Sequence, residues 1–141
     1  MGKNINTKIP QRPLTGDASF KINANEKSVY FGEVTFTGDN WGAWHELGDY
    51  TQARMCIAFK PIDSDIAASL ETTAYQYPNV LRRTMYQYTS NTPDENGYYF
   101  TVSDYFNISP NSDMRLRYSA ASHGGGPLQR RVSVHAWVDV K

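Results

Sequence analysis

Hydrophobic and polar residues alternate along much of this sequence, and the alternation predicts β-strands. The clearest case is Val132–Val140, where four valines and one alanine occupy every second position. Side chains two positions apart point to the same face of a strand, whereas a helix would not sort the residues in this way. This segment is therefore predicted to be a strand with one face in a core.

A second alternating run covers Arg54–Lys60 and assigns its residues to two faces. Met55, Ile57 and Phe59 fall on one face, which we expect to line the core. Cys56 falls on the opposite face. We interpret Cys56 as a small packing residue rather than a nucleophile, because no base lies at a recognisable spacing from it.

Further strand patterns complete an almost entirely β architecture. They cover residues 28–37, 80–88 and 98–106, and a run containing Met114, Leu116 and Tyr118. The first of these places four residues on one face, namely Tyr30, Gly32, Val34 and Phe36, and its glycine indicates a bulge or a close contact. The segment that begins at Trp41 predicts a short helical turn, and a weak helical pattern covers residues 64–72.

These elements predict an all-β protein built as an antiparallel β-sandwich. The long connection between Pro61 and Val80 favours a jelly roll of about eight strands, with at most one or two short helices, over an immunoglobulin-like sandwich. Residues 1–18 lack periodicity and contain two prolines, so we expect an extended N-terminal arm. Residues 19–141 are predicted to form a single β-sandwich domain.

Composition removes several classes of function. Fourteen Lys and Arg balance fourteen Asp and Glu, so no overall field attracts the molecule to nucleic acid or to an anionic membrane. The single cysteine excludes an internal disulfide, and the three histidines show no zinc-ligand spacing, so we expect no metal and no cofactor. The sequence has no long apolar stretch, and we expect a soluble protein made in a reducing compartment without a membrane partner.

The sequence gives no support for catalysis. His45, His123 and His135 have no serine, cysteine or carboxylate at an interpretable spacing, and no glycine-rich phosphate loop follows a strand. We therefore predict that the protein is not an enzyme.

The order of the segments resembles that of a known family. A first long strand is followed by WHELGDYTQARMCIAFKPID, a long connection, NVLRRTMYQY and a closing valine-rich strand. This order is similar to small single jelly-roll viral capsid proteins of satellite viruses and small circular single-stranded DNA viruses. In that family, the residues matching Tyr50 and Arg54 lead into a strand that ends at a proline matching Pro61.

The resemblance implies a structural coat protein that self-assembles into an icosahedral shell around the genome. Such a protein would be made in the host cytoplasm and would reside in the virion as a homo-oligomer. The chain carries more aromatic residues than one small core needs, and such residues are enriched at interfaces. The predicted subunit-interface residues are Trp44, Tyr50, Tyr75, Tyr77, Tyr86, Tyr88 and Tyr98. The alternative is that they form ordinary cross-strand pairs on half-exposed sheets.

Contact with single-stranded nucleic acid is expected to be local. The candidate residues are Lys3, Lys8 and Arg12 in the arm, and Arg115 and Arg117, which share one face of a strand. The alternative for the two strand arginines is solvation, or salt bridges to carboxylates such as Asp104, Asp113 or Glu71.

A carbohydrate-binding or receptor-binding sandwich is the competing function, as in a capsid spike, a phage decoration protein or a lectin-like module. Trp41, Trp44 and Trp137 would form an aromatic platform for sugar rings, and the hydrogen bonds would come from Asp39, Asn40 and His45. Trp41 and Trp44 are three residues apart, so we expect them to meet only if this segment is helical.

Overall fold

The computed structural model describes residues 27–62, 68–78, 82–88, 97–122 and 131–141, together with Pro93. These residues form ten strands and no helix, which confirms the prediction of an all-β protein. The strands are β1 (Lys27–Phe36), β2 (Asp39–Trp41), β3 (His45–Glu46), β4 (Gln52–Pro61), β5 (Ala68–Tyr77), β6 (Arg82–Tyr88), β7 (Tyr99–Val102), β8 (Phe106–Asn107), β9 (Asp113–Ser122) and β10 (Val132–Val140). The predicted arm, residues 1–18, lies outside the described residues.

The strands form two five-stranded antiparallel sheets. The first sheet has the order β1-β10-β4-β7, and β8 also pairs with β4. The second sheet has the order β2-β9-β5-β6, and β3 also pairs with β9. The predicted antiparallel β-sandwich is therefore confirmed.

Two pairs of short strands act as single interrupted strands. β2 and β3 pair with separate parts of β9, and β7 and β8 pair with separate parts of β4. Counting each pair once gives eight strands. The pairing of these eight strands is nested, because the outermost strands in the sequence pair with each other and each inner pair lies within the pair before it. The pairs are β1 with β10, β2 and β3 with β9, β4 with β7 and β8, and β5 with β6.

The core lies between the two sheets and follows the predicted alternation. Met55, Ile57 and Phe59 are fully buried on β4, beside the valines of β10. The second sheet contributes Leu70 and Leu116, among others, to the same cluster. Burying each large side chain is worth about 1.5–3 kcal/mol, so this two-sided core accounts for the pairing of the sheets.

Buried amide side chains connect parts of the sandwich that are distant in sequence. The Gln87 Nε2 group donates to the carbonyl of Ile57 at 3.0 Å and to that of Tyr99 at 3.2 Å, which ties β6 to the first sheet. The amide of Gln76 makes a two-way link with the backbone of Ser109, at 3.3 and 3.0 Å. These bonds satisfy buried polar groups that would otherwise destabilise the fold.

Three local predictions are wrong. Residues 68–72 of the predicted helix belong to β5, because they pair with β9 from Ala68 opposite Ser122 onward. The segment from Trp41 forms β2 and β3 instead of a helical turn. Tyr30 does not share a face with Gly32, because the predicted bulge lies between these two residues and places Tyr30 opposite Trp137.

Candidate functional site: the outer faces of the two sheets

The outer side of the second sheet carries an unusual set of aromatic and charged side chains. Alternation turns every second residue of β5, β6 and β9 toward the first sheet, where all of the described ones but the exposed Arg83 are buried or partly buried, and turns the others to the opposite face. We call this surface the aromatic–arginine face. Its residues are Asp39, Trp41, Trp44, Glu71, Thr73, Tyr75, Tyr77, Arg82, Thr84, Tyr86, Arg115, Arg117 and Ser119.

Strand register arranges this face in three rows that run across the sheet. The central row is Trp41, Arg117, Thr73 and Thr84. On one side lies the arginine row, formed by Arg115, Tyr75 and Arg82. On the other side lies the glutamate row, formed by Asp39, Ser119, Glu71 and Tyr86. Neighbouring rows are two residues apart along each strand, or about 7 Å.

The guanidinium groups lie over the aromatic rings. The Cζ atom of Arg115 is 4.2 Å from the ring centroid of Trp41 and 4.8 Å from that of Trp44. The Cζ atom of Arg82 is 5.3 Å from the Tyr75 ring. These distances lie within the range of cation–π attraction, which holds the arginine side chains against the sheet.

Large aromatic side chains on this face are exposed to solvent. The exposed fractions are 47% for Trp41, 42% for Trp44, 64% for Tyr77 and 58% for Tyr86. Contiguous exposed aromatic surface of this kind usually marks an interaction site.

The charges of this face are partly paired. Arg117 forms an ion pair with Asp39 rather than with the expected Asp104, Asp113 or Glu71. A hydrogen bond from Ser119 lowers the pKa of Asp39, and Arg117 lowers it further. Within the described part of the chain, neither Arg82 nor Arg115 has a carboxylate within salt-bridge distance, and Glu71 has no cationic partner.

The outer side of the first sheet has a different character, because its side chains on the central strands β4 and β10 are mostly buried. Cys56 faces away from the core as predicted, yet it is fully buried in a cluster with Ala58 and Trp137. Partly buried apolar side chains pack against this cluster, namely Tyr30, Tyr98, Phe100 and Val102.

A buried ion pair extends this cluster. The Nε group of Arg54 donates to the Asp139 carboxylate at 2.8 Å, and the Cys56 thiol donates to the same oxygen at 3.3 Å. Burial alone would lower the pKa of Arg54, but its hydrogen bond to Asp139 and the charge of Asp139 raise it overall. A buried charge needs such a partner, so this pair is expected to be structural.

His135 lies at the centre of a polar network on the same face. Its Nδ1 atom is 3.0 Å from the hydroxyl of Tyr30, and its Nε2 atom is 3.3 Å from the hydroxyl of Tyr98 and 3.4 Å from a Glu33 oxygen. Burial lowers the pKa of His135, and the charge of Glu33 opposes this effect.

Other features of the described residues add no chemistry of this kind. An open cleft of about 240 Å³ is lined by Glu46, Leu47, Gly48, Asn111, Ser112 and Asp113. No group of three or more His, Cys, Asp or Glu side chains in the described ranges could hold a metal ion. Within the same ranges, no helix has the length and hydrophobicity that crossing a lipid bilayer requires.

The structure brings together half of the twelve residues predicted from sequence for the subunit interface and for nucleic acid. The aromatic–arginine face contains six of them: Trp44, Tyr75, Tyr77, Tyr86, Arg115 and Arg117. Tyr50 packs against the main core, and Tyr98 packs on the outer side of the first sheet. Tyr88 lies in β6 opposite Ser69. Lys3, Lys8 and Arg12 lie outside the described residues.

The predicted platform of three tryptophans is wrong. Trp137 is only 4% exposed and belongs to the first sheet, on the opposite side of the sandwich from Trp41 and Trp44. Trp41 and Trp44 do lie close together without a helix, as shown by the guanidinium group of Arg115, which sits over both rings.

Sequence reasoning missed the roles of Arg82 and Glu71 on this face. The sequence showed part of the alternation of the strands that carry these two residues. It did not show which residues lie beside them, because that is set by the pairing of β5 with β6 and β9. The weak helical pattern over residues 64–72 concealed the strand that carries Glu71.

Comparison with known proteins shows the fold and nothing finer. No protein-family model matches the sequence, and no curated protein matches it. Among solved structures, the chain is similar to tripeptidyl peptidase 2, with a TM-score of 0.56 and 10% identity over 85% of this chain and 10% of that chain. It is also similar to a chain of infectious bursal disease virus, Gx strain, with a TM-score of 0.52 and 14% identity over 82% of this chain and 31% of that chain.

A chain from the Gt strain of the same virus aligns with a TM-score of 0.47 and 10% identity, over 83% of this chain and 32% of that chain. The protein spans about a tenth of the peptidase chain and about a third of the viral chains. Its sandwich fold is thus shared with part of a chain of infectious bursal disease virus, Gx strain, and with part of tripeptidyl peptidase 2.

Proposed function

We propose that this protein is a structural viral coat protein whose copies assemble into a shell. The observation that carries the proposal is the nested strand pairing. One long antiparallel hairpin, rolled up so that its paired strands alternate between two sheets, gives this order, which is the order of a jelly roll. Jelly rolls form both viral capsid domains and lectin domains, and the likeness in fold to infectious bursal disease virus favours the capsid assignment.

The exposed aromatic side chains support assembly. Tyr, Trp and Arg are enriched where protein surfaces are buried against one another, and these residues dominate the aromatic–arginine face. A monomer would leave this surface in water. We therefore propose a homo-oligomer located in the virion after synthesis in the host cytoplasm, with an icosahedral shell as its final form.

Contact with a single-stranded genome belongs to the same proposal. Lys3, Lys8 and Arg12 are its candidate residues, because a basic segment binds phosphates by releasing counterions. We do not extend this role to Arg117, because Asp39 already neutralises its guanidinium.

A catalytic role finds little support. The likeness to tripeptidyl peptidase 2 covers a tenth of that chain, and a shared fold does not assign an activity. Cys56 is fully buried and its thiol donates to a carboxylate rather than to an imidazole. We therefore propose a protein that acts by assembly rather than by catalysis.

The test is the size of the purified chain in solution. Multi-angle light scattering coupled to size exclusion should give a mass many times the 16.0 kDa of one chain, and electron microscopy should show closed particles. Circular dichroism of the same sample would verify that the β-fold is intact. A folded species that remains at the mass of one chain at high concentration would contradict the proposal.

A further inference from the structure

We propose that two copies of this protein pack through the aromatic–arginine face, related by a two-fold axis that lies over its central row. The proposal rests on the coat function above and identifies one surface through which the copies meet. It follows from the charges on this face and from their spacing.

The face presents charges of both signs that form no ion pair within the described part of the chain. Arg82 and Arg115 stand in the arginine row with no carboxylate within salt-bridge distance, and Glu71 stands in the glutamate row with no cation within that distance. The two rows lie on opposite sides of the central row, each two residues away from it. A two-fold rotation about the central row would therefore bring the arginine row of one copy opposite the glutamate row of the other, as a self-complementary contact requires.

The two-fold axis would lie between the two copies and run parallel to the central row, at right angles to the strands. It would pass over Thr73, which belongs to that row. It would place β5 of one copy over β5 of the other in the opposite direction. Tyr75 of one copy would then face Glu71 of the second copy. Because Arg82 and Arg115 lie on the strands to either side of Tyr75, their guanidinium groups would flank that carboxylate. Symmetry would repeat the contact on the other side of the axis.

The dimensions of the face are consistent with the centre of a protein contact. It spans three strand spacings, about 14 Å, and the seven residues from Glu71 to Tyr77, about 20 Å. Two sheets can pack face to face about 10 Å apart with strands crossing at about 30°, which keeps rows near the axis opposite one another. The exposed rings of Trp41 and Tyr86 would fill the space between the sheets.

Single-stranded nucleic acid fits this face less well. The positive charge of its three arginines is balanced by the negative charge of carboxylates on the face and at its edge, namely Asp39, Glu46, Glu71 and Asp113. A polyanion gains affinity from an excess of positive charge, which this surface lacks.

A sugar platform also fits less well. Arg115 covers part of both indole rings, and the aromatic pairs are inclined, by 41° for Trp41 with Tyr75 and by 62° for Trp44 with Tyr77. Arg115 thus already occupies aromatic surface that a sugar ring would have to cover, so a second protein surface fits the geometry better.

The first test is a charge exchange, measured by sedimentation velocity over a range of concentrations of the full chain. Glu71→Arg and Arg82→Glu should each weaken association about tenfold or more, because each places like charges opposite one another. The double variant E71R/R82E should associate more tightly than E71R alone, because it restores one opposite-charge contact to position 71, while Arg115 still repels the new arginine there. Arg83→Glu is the matched control, since Arg83 lies over Phe106 on the other face of β6, and it should leave association unchanged.

The second test uses the symmetry itself. A residue of the central row faces its own copy across the axis, so Thr84→Cys should be cross-linked into a dimer by a short bis-maleimide. Thr35→Cys, at an exposed site on the first sheet, should not be. Native Cys56 is fully buried and should contribute no product.

The outcomes separate this inference from the coat function. Loss of association in both single variants, with the double variant no tighter than E71R, would overturn the two-fold contact. Particles that form normally in all charge variants would also overturn it, while leaving the coat function in place. A wild-type monomer would overturn both. Binding of a labelled single-stranded 20-mer that is lost in Arg82→Glu, with association unchanged, would assign the face to nucleic acid instead.

Discussion

Single side chains on the outer side of the first sheet behave as interior groups although they point away from the core. Cys56, Trp137 and Asp139 are each at most 4% exposed. Alternation in the sequence correctly indicated which way Cys56 points. It could not indicate burial, because the covering side chains, such as Tyr30 and Tyr98, come from β1 and from the residue before β7.

His135 should make the stability of the protein depend on pH. Burial lowers its pKa below the ordinary 6.5, so the unfolded chain binds a proton at a higher pH than the folded chain does. The free energy of unfolding should therefore be highest above about pH 7, fall as the pH drops through 6.5, and level off below the folded pKa. Urea denaturation at a series of pH values from 8 to about 5 measures this.

The control for this prediction is His135→Gln, which cannot titrate in that range. Its stability should fall less between about pH 7 and pH 5 than that of the wild type. The free energy of unfolding of the variant should still fall somewhat with pH because of His45, whose pKa is also lowered by burial. An unchanged slope in the variant would show that His135 does not contribute.

At the scale of elements, the strands whose alternating residues are buried were the ones predictable from sequence. β4 and β10 match their predicted runs closely, because each lies in the middle of the first sheet and has one face in the core. β5 was partly mistaken for a helix. Its local pattern is weak, and its conformation is decided by pairing with β6 and β9, which local propensity does not reveal.

The bulge in β1 depends on the backbone of Gly32. Its φ angle is +100°, and a Cβ atom at this position would meet no atom within 4 Å. The cost of Gly32→Ala is therefore backbone strain alone, and we expect a loss of about 1–2 kcal/mol in the free energy of unfolding. Urea denaturation measures the loss. Thr35→Ala, at an exposed site of the same strand, should change stability by less than about 0.5 kcal/mol.

A loss in Gly32→Ala no larger than that in Thr35→Ala would contradict this account of the bulge. The same result would imply that β1 can shift its register without cost. Tyr30 would then be free to leave its place opposite Trp137.

At the scale of the whole molecule, the nested pairing makes distant parts of the sequence depend on one another. The sandwich class followed from many alternating segments with turns between them. The gathering of Trp44, Tyr75 and Arg115 on one face did not, because it requires the register of strands that are up to seventy residues apart. The residue types of the site were thus predictable, and their arrangement in rows was not.

β10 should be indispensable for folding, since it lies between β1 and β4 and all its residues are buried. A chain that stops after Arg131 loses four valines from the core, each worth about 1.5–3 kcal/mol. That loss is comparable with the whole stability of a typical domain, about 5–15 kcal/mol. We expect the truncated chain to show no cooperative thermal unfolding by circular dichroism.

A chain extended after Lys141 by a short Gly-Ser tag is the matched control. It retains the backbone hydrogen bonds between Lys141 and the residues Thr51 and Gln52, and it should unfold cooperatively like the wild type. Cooperative unfolding of the truncated chain would show that β1 and β4 can pair without β10.

The register of β1 on β10 has a further consequence for engineering the protein. Lys27 lies opposite Val140, so the chain enters the first sheet beside the point where it leaves it. A fluorescent label before Lys27 and a cargo peptide after Lys141 would emerge at the same rim of the sandwich. Two such attachments would therefore be neighbours on each copy of the protein.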